Sequence, residues 1–200
     1  MSHAPPAQTA QPHGHALGLQ ALHELSLVIS AVVELQPTLE RVCEIAARGF
    51  GVDHVALLRF DGDWGAGALA ADFPPRCARG QAAPLHDLSL TARLRHERQP
   101  IVVDDLAGIC EDALGEAGLG SLTVVPIISG GEVIGALRLG WTDRAGVLDA
   151  ERMQLCKTFA AMLGAALHRE QLATHGSLLT LQQKTTDHLQ RLLTTSTTLR

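Results

Sequence analysis

Apolar residues recur at helical spacing from Leu17 onward: Leu22, Leu25, Ile29 and Val32 fall three or four apart on one stripe, which predicts an amphipathic helix over roughly 17–35. Pro37 interrupts that stripe, and its fixed φ and missing N–H suit the first turn of a second helix. The apolar face of that helix is Leu39, Val42, Cys43, Ala46 and Phe50, and Gly49 or Gly51 ends it. The period then falls from 3.6 to 2. "HVALLRF" (54–60) and "AGALAADF" (66–73) read as strands around a tight turn at Asp61-Gly62, where a positive φ is needed. Two adjacent prolines, Arg76, Arg79 and Gly80 make 74–84 irregular. Ser89 caps a short helix to about Arg98, and Pro100 restarts the chain as the strand "IVVDD". Residues 106–120 read as a loop with one or two helical turns.

"SLTVVPIISGGEVIGALRLGW" (121–141) is a hairpin turning at Ser129-Gly130-Gly131. Strict alternation in its second strand puts Val133, Gly135, Leu137, Leu139 and Trp141 on one side and Ile134, Ala136, Arg138 and Gly140 on the other. One face is therefore bulky and the other comparatively hollow. Helices over the bulky side leave two uses for the hollow one: a ligand cavity, or close packing of another helix. Asp149 caps a long helix in which Met153, Cys156, Phe159, Ala160, Leu163 and Leu167 keep the helical period. Beyond 170, Leu172, Leu179 and Leu193 are spaced by sevens and fourteens, while His175, Gly176, Gln182 and Thr186 interrupt the seam, so 171–200 reads as a marginal coiled coil. Residues 1–16, rich in Pro, Ala, Gln and His, bury too little surface to offset ordering and read as a disordered tail. The central domain spans 17–170.

Composition narrows the function classes. A net charge of -5, with 3% aromatics and no Tyr, removes both the basic face and the stacking platform that a nucleic-acid binder uses. Cys43, Cys77, Cys110 and Cys156 are each more than thirty positions from the next, so no close pair suggests a zinc or dithiol motif, and they read as reduced thiols of a cytosolic protein. His13-Gly14-His15 in the tail is at most a weak metal contact, and no metal site is expected. The start of the chain has neither the basic nor the apolar segment of a signal peptide. No run reaches the roughly eighteen apolar residues of a membrane span.

Four motifs in this order resemble the GAF domain family over roughly 20–170: Ser121-Leu122 with Val125-Pro126-Ile127, then Gly130-Gly131 with Val133-Ile134-Gly135-Ala136-Leu137, "PIVVDDL" at 100–106, and "LDAERMQLCKTFA" at 148–160. The resemblance implies an α/β (α+β) fold of GAF/PAS-like form: an antiparallel six-stranded sheet with the terminal helices on one face and a ligand pocket on the other. It also implies a sensory or regulatory module, not an enzyme, relaying to an effector such as a histidine kinase. The fold does not identify the ligand. The cyclic-nucleotide constellation of the family is missing from this sequence, as is the Cys-His pair of its bilin-binding branch. A haem type needs only one axial His, and His86 and His96 lie in the segment that would form the pocket wall. A redox enzyme similar to free methionine sulfoxide reductase would need clustered cysteines, which the spacing does not provide. A ligand-free dimerisation scaffold is the remaining alternative.

The candidate pocket lining is Phe73, His86, Leu88, Leu94, Asp104, Cys110, Leu122, Val124, Ala136 and Arg138. Arg138 is the only charge on the hollow face of its strand, and burying it uncompensated costs several kcal/mol. It pairs with a structural carboxylate (Asp104, Asp105, Glu111 or Asp112), meets an acidic group of a ligand, or snorkels to the rim. The terminal helices keep apolar positions beyond what one sheet face covers, which predicts a homodimer through them. The partners expected are thus a small molecule, a second copy and a downstream effector, with neither nucleic acid nor membrane.

Overall fold

The computed structural model describes residues 12–31, 38–60, 66–76, 82–84, 88–104, 106, 118–143 and 148–197; of these, the side chains at 12, 13, 66, 82–84, 88, 89 and 174–197 fall outside the description. The helix predicted from Leu17 begins earlier, as α1 (Pro12–Ala31), so helix replaces the last part of the expected tail. Pro12 stands at its start, where its missing N–H costs nothing. The second helix, α2 (Leu39–Phe50), buries Leu39, Val42, Cys43, Ala46 and Phe50 as its periodicity requires, and ends at Gly51 in the left-handed conformation, φ 61°.

Strands β1 (His54–Phe60), β2 (Ala66–Phe73), β5 (Ser121–Ser129) and β6 (Glu132–Trp141) form where the alternation places them. Short strands β3 (Ala82–Pro84) and β4 (Ile101–Val103) complete one antiparallel sheet in the order β3-β2-β1-β6-β5-β4. The segment read as irregular thus contributes an edge strand. Its Pro84 is tolerated there because an edge residue has no second ladder to complete.

Across the sheet, α1, α2 and α4 (Ala150–Thr197) cover one face, and α3 (Leu88–Glu97) lies on the other against β6. The covered back face gathers Val55, Leu57, Val125, Ile127, Leu137, Leu139 and Trp141 with the helices, and Phe50 meets Phe159 edge to face, 5.7 Å between ring centres. Gly49 lets α1 and α2 touch: a methyl there would lie 2.2 Å from the Ala21 side chain. Gly164 does the same for α4 on β5. Asp149 Oδ1 accepts from the Arg152 N–H at 2.8 Å, the predicted cap of α4.

Two β-bulges shift the alternation. Leu57 pairs with Ala71 and Leu58 with Leu69, so Ala70 is the extra residue in β2; Ile127 pairs with Gly135 and Ile128 with Val133, so Ile134 is the extra residue in β6. The strict alternation expected of β6 therefore fails at its start. Val133 packs on the front cluster and Ile134 on the back.

Gly164→Ala is expected to lower stability by about 1–3 kcal/mol, because its methyl would sit 2.6 Å from the Ile128 carbonyl oxygen and backbone does not yield cheaply. Urea unfolding should show a lower midpoint at unchanged m-value. An unchanged midpoint would mean that α4 does not rest on β5 this closely.

Candidate functional site

The front face is built by rows of residues that pair across the strands. One row runs Asp72, Ala56, Arg138, Val124, Ile101 from β2 to β4. The next runs His54, Gly140, Leu122, Val103, and on the other side Leu69, Leu58, Ala136 and Pro126 follow. Leu90 and Leu94 of α3 pack on this surface, and the Arg95 guanidinium lies over the Phe60 ring at 5.2 Å. The result is an apolar face with three ionisable side chains in its floor.

Those three are sequestered: Arg138 is 1% exposed, His54 2% and Asp72 5%. His54 Nε2 lies 3.6 Å from Asp72 Oδ2, beyond good hydrogen-bond length, and Asp72 Oδ2 also accepts the Arg76 N–H at 2.6 Å. Burial, then the nearby Arg76 charge, with Asp72 opposing and Arg138 assisting, hold the His54 imidazole well below its ordinary range, at about 4. His54 is therefore neutral at pH 7. His54 Nε2 and the buried Thr91 Oγ1 on α3 have no hydrogen-bond partner among the described residues.

Of the predicted lining, Leu94, Leu122, Val124, Ala136 and Arg138 come together on this front face, all of them buried. Phe73 does not. Its pairing with Val55 puts it in the back row, where it packs against the helix-side core. Asp104 follows β4 and is exposed, so it does not line the buried floor. Leu88 opens α3, but its side chain lies outside the description, as do His86, Cys110, Asp105, Glu111 and Asp112. The buried carboxylate on the Arg138 row is Asp72, which was not among the four anticipated acids. Asp72, His54 and Thr91 were all missed. The signal for two of them was present: a polar side chain at the Ala56 and Leu58 parity of β1, and a lone acid closing an otherwise apolar β2.

The thiols described belong to the opposite, helix-covered side of the sheet. Cys43 and Cys156 are buried in the helix-side core, and burial pushes both well above the ordinary thiol range. Among the described residues no group of three or more His, Cys, Asp or Glu is placed to hold a metal. No described helix is long and apolar enough to cross a membrane.

A sheet backed by its terminal helices, with a short helix over the opposite face, is the arrangement of a GAF domain, and a sequence model of the GAF domain matches residues 33–168. The chain belongs to the GAF domain family. Solved structures with this fold include the GAF domain of a phosphoenolpyruvate-protein phosphotransferase from Coxiella burnetii, at TM-score 0.68 and 20% identity over 80% of this chain and 98% of that one. The free methionine-R-sulfoxide reductase from Neisseria meningitidis, solved with its substrate, gives TM-score 0.66 and 19% identity over 86% and 99%. The phycoerythrobilin-bound GAF domain of a cyanobacterial phytochrome gives 0.65 and 17% over 80% and 99%. At these identities the likeness establishes the fold alone. Compared by sequence, no curated protein matches the chain.

The sign of the His54 effect is testable. Between about 6.5 and about 4 the unfolded chain takes up a proton on His54 that the folded one does not, so stability is fully present above that window and falls as pH drops through it. The slope should approach about 1.4 kcal/mol per pH unit. Asp53, whose carboxyl is held below its usual range by Thr142, contributes only at lower pH. Urea midpoints for His54→Gln should lose most of the slope in this window; curves parallel to wild type would show that His54 is not buried as neutral imidazole.

Proposed function

We propose that the chain is a cytosolic sensory module that binds a small molecule between the front of the sheet and α3, and relays occupancy through its terminal helices to an effector such as a histidine kinase. The observation that carries the reading is the burial of Arg138, His54 and Asp72 in one floor, where Leu94, Leu122, Val124 and Ala136 supply the apolar surround. A binding site of this type joins a mostly apolar wall to a few converging polar groups. Arg138 offers a guanidinium to a carboxylate or phosphate, and the neutral imidazole of His54 offers a hydrogen bond.

The helices support the output side of the reading. Leu17, Leu19 and Leu27 on α1 and Leu172 on α4 are exposed, and α1 packs along α4. After Leu167, the last buried residue among its described side chains, the α4 backbone continues to Thr197, about 45 Å further. Pairing two copies along these helices covers the exposed leucines, and a long helix rooted in the core carries a shift at the domain outward. The two described thiols, Cys43 and Cys156, are buried with raised pKa and offer no reactive thiolate; Cys77 and Cys110 lie outside the described residues.

Native mass spectrometry of the purified protein should reveal a retained small molecule that is lost in Arg138→Leu, with circular dichroism of the variant unchanged. Added back at a hundredfold excess over its Kd, that molecule stabilises wild type by about 2.7 kcal/mol, a shift of several degrees in Tm. Absorbance near the Soret band tests haem on the same sample. Protein without a retained molecule and without a thermal response across a metabolite panel would instead favour the ligand-free scaffold. In parallel, sedimentation should find a dimer that Leu27→Asp combined with Leu172→Asp converts to monomer; a monomeric wild type would end the dimer reading.

A further inference from the structure

On the far side of the sheet from His54, β4 pairs only with residues 122–124 of β5, leaving the outer edge of β5 from Val125 onward without a described strand beside it. A half-open groove of about 170 Å³ follows this edge, between the connection from α3 to β4 and the first half of α4. Its apolar side is formed by Val125, Ile128 and Ala161, and two cations, Arg98 and Lys157, stand over it. Lys157 Nζ donates to the Gln99 side-chain oxygen at 3.1 Å, a neutral partner. No carboxylate lines the groove, and neither cation is ion-paired among the described residues. Arg98 has an additional peculiarity. It follows α3 in the left-handed conformation, φ 52°, with its N–H donating to the Leu94 carbonyl at 3.0 Å, a position where glycine is the ordinary choice.

The open strand edge does not favour an added peptide strand, because Pro126, the second residue of this edge, has no N–H to donate. The volume instead suits one small molecule: a cavity of about 150 Å³ accommodates benzene. We propose that this groove is a second ligand site, separate from the front face, for a small organic carboxylate with a compact apolar body. The carboxylate meets Arg98 and Lys157, and the body rests on Val125 and Ile128. Occupancy ties the end of α3, the helix over the front face, to α4, the helix that leaves the domain. A ligand here acts on both at once.

Benzoate is the probe, with benzyl alcohol as its neutral isostere and inorganic phosphate as an anion without the apolar body, each titrated into the full chain and followed by amide NMR. Benzoate is expected to give saturable shifts at Gln99, Ile128 and Lys157 with a Kd in the millimolar range. Arg98→Gly suits the backbone at φ 52° and so removes the guanidinium without disturbing the turn. Together with Lys157→Gln it should weaken benzoate about ten-fold or more while the remaining spectrum stays in place. The proposal fails if benzoate gives no saturable shift at these residues, if benzyl alcohol or phosphate binds as well as benzoate, or if the double variant binds benzoate like wild type. Arg138→Leu, which addresses the front face, should leave benzoate binding unchanged.

Discussion

The Asp53 carboxylate accepts two hydrogen bonds from Thr142, one from the N–H at 2.7 Å and one from the hydroxyl at 2.8 Å, and so holds the beginning of β1 against the end of β6. The Asp53 N–H donates to the Gly140 carbonyl, Trp141 Nε1 donates to the Gly51 carbonyl, and the Arg152 guanidinium donates to the Phe50 carbonyl. The C-terminus of α2, the central strand pair and the first turn of α4 are joined at this one corner. Everything that distinguishes the two faces depends on the register fixed there. A slip by one residue would turn Arg138 into the helix-side core and send Leu137 and Leu139 to the front, because side chains alternate along a strand.

With the register held, the two faces do different work. The back face is nearly pure hydrocarbon, and each large side chain buried in it contributes about 1.5–3 kcal/mol. The front face keeps an arginine, a histidine and an aspartate out of water at the same time, an arrangement that costs stability unless the charges and their hydrogen bonds are organised. Neutrality of His54 reduces that cost, since a charged imidazole would be a second buried cation beside Arg138, with the exposed Arg76 also close by. Arg138 itself lies between Leu137 and Leu139, both in the helix-side core. A displacement of this strand by a front-face ligand is therefore felt directly in the packing under α4, which is the physical basis for relay in the function proposed.

Strand positions and helix faces were legible because each rests on local periodicity: β1, β2 and the hairpin of β5 and β6 begin and end where alternation and turn residues place them. The edge strand β3 was not legible. Its three residues carry no period of their own and are ordered by pairing with β2. Phe73 was assigned to the pocket and belongs to the back, and Val133 and Ile134 exchanged faces, because bulges shift parity by one and depend on the partner strand. Arg138 was recognisable as a buried charge from its apolar neighbours, whereas its row mate Asp72, 66 positions earlier, became a neighbour only through the intervening Ala56.

The sequence by itself determined the number and type of the main elements, the apolar faces of α2 and α4, and the small-residue front of β6, since these follow from spacing along a few turns or a few alternations. Only the tertiary structure decided that His54, Asp72 and Arg138 share one floor and that Arg98 and Lys157 share one groove. Both sets meet through strand register and helix placement, and neither is encoded by the residues adjacent to them in the chain.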